Sequence, residues 1–147
     1  MGLFDMFRKK ENVKKAETKT EKTLVEDIPI HAEWAKNNLN KTGYQVDYDL
    51  ESMKEVERFF NEQAKEGGAL SGRSGAILFG LGCFIGETII RIYGGRWETD
   101  DADPKGEMNI AVRLLDNSII WPVQRCMKRL QNGAEENIYD YVCAVKK

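Results

Sequence analysis

GAILFGLGCFIGETIIRIYGGRW, from Gly75 to Trp97, decides how the rest of the chain is read. No charged residue falls between Gly75 and Gly86, and Glu87 closes the run. Ala76, Ile77, Phe79, Leu81, Phe84, Ile85, Ile89, Ile90 and Ile92 leave almost no polar side before Thr88. A helix apolar nearly all round is either buried or membrane-spanning. A span needs about 20 predominantly apolar residues, and Glu87 and Arg91 interrupt this run short of that. The stretch therefore reads as the central buried helix of a soluble domain, about 28 Å long at roughly 1.5 Å per residue.

The glycines inside it are costly, each about 1 kcal/mol worse than Ala in a helix interior. Gly82 and Gly86 stand four apart, with Gly75 and Gly80 before them, so another backbone is expected to pass close to that side. A phosphate-cradling loop does not fit, because neither GxGxxG nor GxxxxGK followed by Ser or Thr occurs. Gly94-Gly95 is the expected helix stop. Glu87 and Arg91 are spaced i,i+4 in the favourable order.

Working back toward the start, Asp49 is a good N-cap for a helix running to about Glu66. Leu50, Met53, Val56, Phe59, Phe60 and Ala64 give it a buried face, and Gly67-Gly68 ends it. Before it, Pro29 suits the first turn of a short helix with Ile30, Trp34 and Leu39 on its apolar side. His31 is the only histidine and reads as a helix-face residue without a chemical role. Residues 1–26 read as a flexible basic tail and 27–147 as a single domain. The first 22 residues carry seven basic and four acidic side chains, net +3, and open with Leu3, Phe4, Met6 and Phe7. That composition cannot bury enough area to fold alone, but residues 1–10 could sit on an anionic membrane surface.

Working forward, the period changes from helical to alternating. Arg96–Thr99 is expected to form a short strand, and Met108, Ile110, Val112 and Leu114 alternate with polar or small residues. Asp116-Asn117 reads as a two-residue turn into Ser118–Trp121. Pro122 starts a helix with Val123, Cys126, Met127 and Leu130 inward, and Asn132-Gly133 ends it. A last helix from about Glu135 turns Ile138, Tyr141, Val142 and Val145 inward. The fold class is α+β: helices packed on a small antiparallel sheet, in the order α-α-α-β-β-β-α-α.

Composition narrows the function. The chain has 22 basic and 24 acidic residues, and the part after residue 22 is net −5, which argues against nucleic acid as a partner. Three cysteines without a CxxC give no disulfide framework and read as reduced core thiols in a cytoplasmic protein. No signal peptide is expected. Asp101-x-Asp103-x-x-Gly106 has the early spacing of a calcium loop, but Lys105 and Val112 occupy ligand positions, so no metal or other cofactor is expected. Arg125, Lys128 and Arg129 read as a solvated helix face.

The candidate binding residues are Glu87, Arg91, Arg96 and Trp97, where the central helix ends beside a strand and charge meets aromatic area. Glu87 is expected to pair with Arg91 or to accept hydrogen bonds from the Gly94–Trp97 turn. The catalytic alternative sets it beside Glu98 or Asp100 as a general base for a small substrate. No other catalytic residue is expected.

Gly82-Cys83-Phe84-Ile85-Gly86-Glu87, then Gly94-Gly95-Arg96-Trp97, then Lys128-Arg129-Leu130-Gln131-Asn132-Gly133 carry a resemblance. The chain resembles a class of small uncharacterised bacterial proteins with a G-x-[YF]-x-G-E helix, a G-G-x-W turn and a K-R-L-x-N-G helix. The likeness spans roughly Trp34 to Tyr141 and implies a fold rather than an activity. By general style it implies an accessory or immunity-like protein whose partner is another protein.

Overall fold

A computed structural model describes residues 23–72 and 74–145. Among these the elements are α1 (Leu24–Lys41), α2 (Ser52–Gln63), α3 (Gly75–Tyr93), β1 (Arg96–Glu98), β2 (Ala111–Arg113), β3 (Ile119–Ile120), α4 (Pro122–Asn132) and α5 (Ile138–Cys143). A 3-10 turn, Gly133–Glu136, joins the last two. The sheet is antiparallel in the order β1-β2-β3. The class and the element order are those expected from the sequence.

The apolar run folds as the 19-residue helix α3, with Ile77 to Gly86, Thr88 and Ile89 buried. By length and composition it could cross a bilayer, at a mean hydropathy of 1.6, but 67% of that window is buried inside the fold. Helices α1 and α4 supply most of the cover. The spacing of the glycines explains how they come so near. A Cβ at Gly82 would stand 2.8 Å from Val123 Cα and 2.9 Å from Val123 N, so the backbone that opens α4 lies on the helix there. A Cβ at Gly86 would overlap the Trp97 indole at Cη2, so this second gap admits a side chain instead of a backbone. Gly94 stops the helix at φ 87°, its N–H still donating to the Ile90 carbonyl at 2.8 Å.

Helix α1 starts at Leu24, three residues before the boundary expected at Asp27. Thr23 and Glu26 form a reciprocal capping box. Pro29 is consequently inside the helix and not in its first turn. The Val25 carbonyl loses its helical donor there, at an exposed residue where water can serve. The buried face is Ile28, His31, Ala32, Ala35, Asn38 and Leu39, whereas Ile30 is 39% exposed. Of the expected Ile30–Trp34–Leu39 side, Leu39 is buried and Trp34 packs half-buried on the core, while Ile30 faces out; the alanines that complete the true face carry little hydrophobic signal.

Helix α2 is shorter than expected at both ends. Regular helix begins only at Ser52, so the N-cap position falls at Glu51 rather than the expected Asp49, whose Oδ1 instead accepts from the Ser52 N–H at 2.9 Å across the turn before the helix. At the far end the Gln63 carbonyl accepts from Leu70 N–H and its side chain from Ala69 N–H, each at 2.9 Å. Those bonds fold the chain back over the helix end, and Ala64 is left exposed.

Strands β2 and β3 pair Val112 with Ile120 and Arg113 with Ile119. The turn is one residue longer than expected. Leu115-Asp116-Asn117 form it, with Asn117 at φ 73° and its N–H donating to the Leu114 carbonyl at 2.9 Å. Ile110, Val112 and Leu114 are buried as the alternation requires, but Met108 lies in a preceding run of turns, 38% exposed.

Gly82→Ala should lower the thermal midpoint by several degrees, because overpacking a fixed backbone contact costs about 1–3 kcal/mol and outweighs the gain in helix propensity. Circular dichroism melting checks this; an unchanged or raised midpoint would show that α4 does not sit on Gly82.

Candidate functional site

Helix α3 ends beside β1, and this juncture holds the four candidate binding residues. Trp97 lies in the middle of β1, opposite Val112, and its ring enters the gap at Gly86, about two turns before the helix stop. From there its Nε1–H donates to Glu87 Oε2 at 2.8 Å. Arg91 Nε is 3.9 Å from Glu87 Oε1. Both roles expected of Glu87 are thus present, with the indole of the turn as the nearer partner. Glu87 and Trp97 act together as a clamp that holds the sheet on the helix.

Arg91 does more than pair with Glu87. Its guanidinium carbon lies 3.6 Å from the centroid of the Tyr48 ring. Tyr48 in turn packs its ring on Phe84 at 5.2 Å and donates its hydroxyl to Glu33 Oε2 at 2.8 Å. Burial first, and the bond to Glu33 second, push the Tyr48 phenol well above its usual range. The sequence reading missed Tyr48, which sits in the connection before α2 with no periodic pattern to flag it.

Arg96 points elsewhere. Its side chain is 69% exposed and reaches Glu98 Oε2 at 3.4 Å. Neighbouring residues of a strand face opposite sides, so Arg96 and Glu98 share the outer face of the sheet while Trp97 takes the inner one. Arg113, across from Arg96, grips Glu98 with Nη2 at 3.1 Å and Nε at 2.5 Å. That grip holds the Glu98 carboxyl below its ordinary range. Glu87 and Glu98 therefore lie on opposite faces of β1, and the carboxylate pair imagined for catalysis does not form there.

The acidic loop is occupied with structure as well. Asp101 Oδ1 accepts from Leu24 N–H at 2.7 Å and so caps α1 from outside. Asp103 accepts from Lys105 N–H and Asn109 Nδ2, each at 2.8 Å. Asp100 Oδ1 accepts from Ala102 N–H at 3.0 Å.

The basic face expected on α4 is corrected by its partners. Arg129 is 3% exposed. Its Nε lies 3.1 Å from both Glu57 oxygens, and its Nη2 donates to Asn61 Oδ1 at 2.8 Å. Glu57 also accepts from the Ile138 N–H at 2.6 Å, joining α2, α4 and α5. Removing one member of such a pair strands a buried charge and costs about 3–5 kcal/mol. Arg125 pairs with Glu136 and stacks on Tyr141 at 4.3 Å, which leaves Lys128 as the one exposed member of the three. Sequence periodicity placed Arg129 outside because it counts any charge as solvent-facing; the matching Glu57 on α2 was the available sign.

Cys83 and Cys126 are buried thiols, and burial pushes Cys126 far above its usual range, away from reactivity. Cys143 is exposed, contrary to the reading of all three as core thiols. His31 is buried with its ring 4.9 Å from Phe79, edge on. Residues 1–22 of the expected tail, including residues 1–10 for which a membrane surface was considered, lie outside the described residues.

What remains on the outer face of the sheet is a mixed surface that the sequence reading did not assemble. Beside Arg96 and Arg113 stands Ile119, and bordering the strands are Leu115 in the β2–β3 turn and Trp121 between β3 and α4. Leu115 is 70% exposed, over Gly94, and Trp121 is 44% exposed.

Comparisons with protein-family models, with curated proteins and with solved structures return no match to this chain.

Glu87→Ala should destabilise by about 1–3 kcal/mol, since the part-buried Trp97 N–H loses its acceptor. Glu87→Gln keeps an acceptor and should cost less than half as much. Urea unfolding followed by indole fluorescence checks this; equal losses in the two variants would mean that the charge, rather than the hydrogen bond, holds the strand.

Proposed function

We propose that this chain is a small, soluble, non-catalytic module that binds another protein, in the manner of a bacterial cytoplasmic accessory or immunity-like protein. The observation that carries the reading is the outer face of the sheet. Arg96 and Arg113 stand there across from each other, and Leu115 and Trp121, in the segments bordering the strands, are exposed. Protein interfaces are enriched in aromatic residues and Arg at their centres, and Trp and Arg furnish most binding hot spots. The fold does not need this face for its own core, which lies on the Trp97–Val112–Ile120 side.

The candidate residues divide accordingly. Glu87 and Trp97 hold the sheet in place, and Arg96 is the member offered to a partner. Arg91, 54% exposed and stacked on Tyr48, borders the juncture from the helix side. The resemblance to small bacterial proteins with the G-G-x-W turn agrees with this division, since the turn sets the angle at which the sheet leaves the helix. The enzyme alternative loses support because Glu87 and Glu98 each have a structural partner and face apart.

The test is an affinity capture from native lysate with the tagged full chain beside a Leu115→Asp/Arg96→Glu variant. The expected result is one protein retained in stoichiometric amount by the native chain and reduced at least about tenfold by the variant, a loss of roughly 1.4 kcal/mol or more. Thermal midpoints should agree within a few degrees, as is usual for surface changes. Equal retention by both chains, or retention by neither, would contradict the reading.

A further inference from the structure

The two edges of the sheet differ in chemistry. β1 carries Arg96 and Glu98, charged side chains of the kind that keep an edge from pairing. β3 carries Ile119 and Ile120 and has no such charge. The register decides which of its backbone groups face outward. Leu114 N–H donates to the Ser118 carbonyl at 2.8 Å, so Val112 and Ile120 form the next hydrogen-bonded pair, and Arg113 and Ile119 between them a non-bonded one. The Ile119 N–H and carbonyl therefore point away from β2, and among the described residues neither has a backbone partner. The open edge is short. At Trp121 the carbonyl already accepts from Arg125 N–H at 3.0 Å, and Pro122 follows. Beside Ile119, on the inner side of the sheet, lies a groove of about 310 Å³. Leu114 and Ile120 form its sheet wall, and Tyr141, Ala144 and Val145, at the end of α5, form the other. Asp116, at the turn end, is taken up by Ser118, whose N–H and hydroxyl both donate to its Oδ1.

Resting on the protein-binding reading above, we propose that the partner docks at this edge by strand addition, through an extended segment of apolar–acidic–apolar sequence. The backbone sets the extended form, because only another strand offers an N–H and a carbonyl to Ile119 at the right spacing. Residues directly opposed across paired strands share a face. The partner residue opposite Ile119 therefore lies on the outer face, and its two neighbours point inward. Inward they meet Leu114, Ile120 and Val145, which call for apolar side chains. Outward the middle residue joins the face that sets Arg96 and Arg113 against Glu98 alone, net +1, which calls for Asp or Glu. The added strand would extend the sheet past the exposed Trp121 and so continue the surface already assigned to the partner.

The probe is a random octapeptide library displayed on phage and panned on the full chain, with an Ala144→Phe chain alongside. Ala144 is exposed, so the variant is expected to keep its thermal midpoint while the new ring fills the groove. Enriched peptides should share the apolar–Asp/Glu–apolar pattern and bind the native chain at least about tenfold more tightly than the variant. N-methylation of the acidic residue removes the N–H that donates to the Ile119 carbonyl and should weaken the consensus peptide about tenfold. Solvent exchange of the Ile119 amide should slow by about the same factor when the peptide binds. Failure to enrich any consensus would overturn strand addition, as would a consensus indifferent to Ala144→Phe or to N-methylation. A native dimer that Ala144→Phe dissolves would give the edge to a second copy and overturn it too. The broader reading is scored apart: a lysate protein lost by Leu115→Asp/Arg96→Glu but kept by Ala144→Phe would leave the binding module standing and remove strand addition alone.

Discussion

The contact that the rest of this structure depends on is the one between the bare side of α3 and what lies against it. Gly82 admits the first residues of α4, and Gly86, one turn later, admits the Trp97 ring. Both openings are made by missing side chains in a helix that is otherwise apolar, and each costs about 1 kcal/mol of helix propensity. The return is that two chain segments following α3 are set at fixed heights on it. Once Trp97 is seated, its N–H reaches Glu87 and the register of β1 is fixed. The sheet then has one inner face, and its outer face becomes surface.

The polar groups around this framework act mostly in the same service. Asp101 accepts from the first N–H of α1, Asp49 from the first N–H of α2, and Glu57 with Arg129 ties three helices together. Such bonds matter because a buried donor or acceptor without a partner costs about 1–3 kcal/mol. They also bear on function. A carboxylate committed to an N–H or a guanidinium is poorly placed to accept a proton from a substrate, and Glu87, Glu98, Asp101 and Asp103 are all so committed. On or beside the sheet the side chains that stay largely exposed are Arg96, Leu115 and Trp121.

Much of this could be read from the sequence where one strong period dominated. The α3 run, the Gly94-Gly95 stop and the alternation through Ile110, Val112 and Leu114 located the helix and the hairpin. Elsewhere the reading failed for definable reasons. Ala32 and Ala35 make the true face of α1, yet alanine scarcely differs from polar residues in a periodicity count. Arg129 was placed in solvent because its partner Glu57 is 72 residues away in sequence. The pairing of Glu87 with the Trp97 turn was within reach because only ten residues separate them. Leu115 and Trp121 went unnoticed because a surface is assembled by register across strands, and register was settled by a turn one residue longer than Asp116-Asn117 suggests.

Native-state hydrogen exchange would test the central claim most directly. If α3 with its two seated partners is the framework, the amides from Leu81 to Ile89 and the Trp97 indole N–H should exchange together, at the rate set by global unfolding. Helix α5, only six residues long, should open sooner. Exchange of the Trp97 N–H well ahead of the α3 amides, or of the α3 amides ahead of those in α2, would contradict the account.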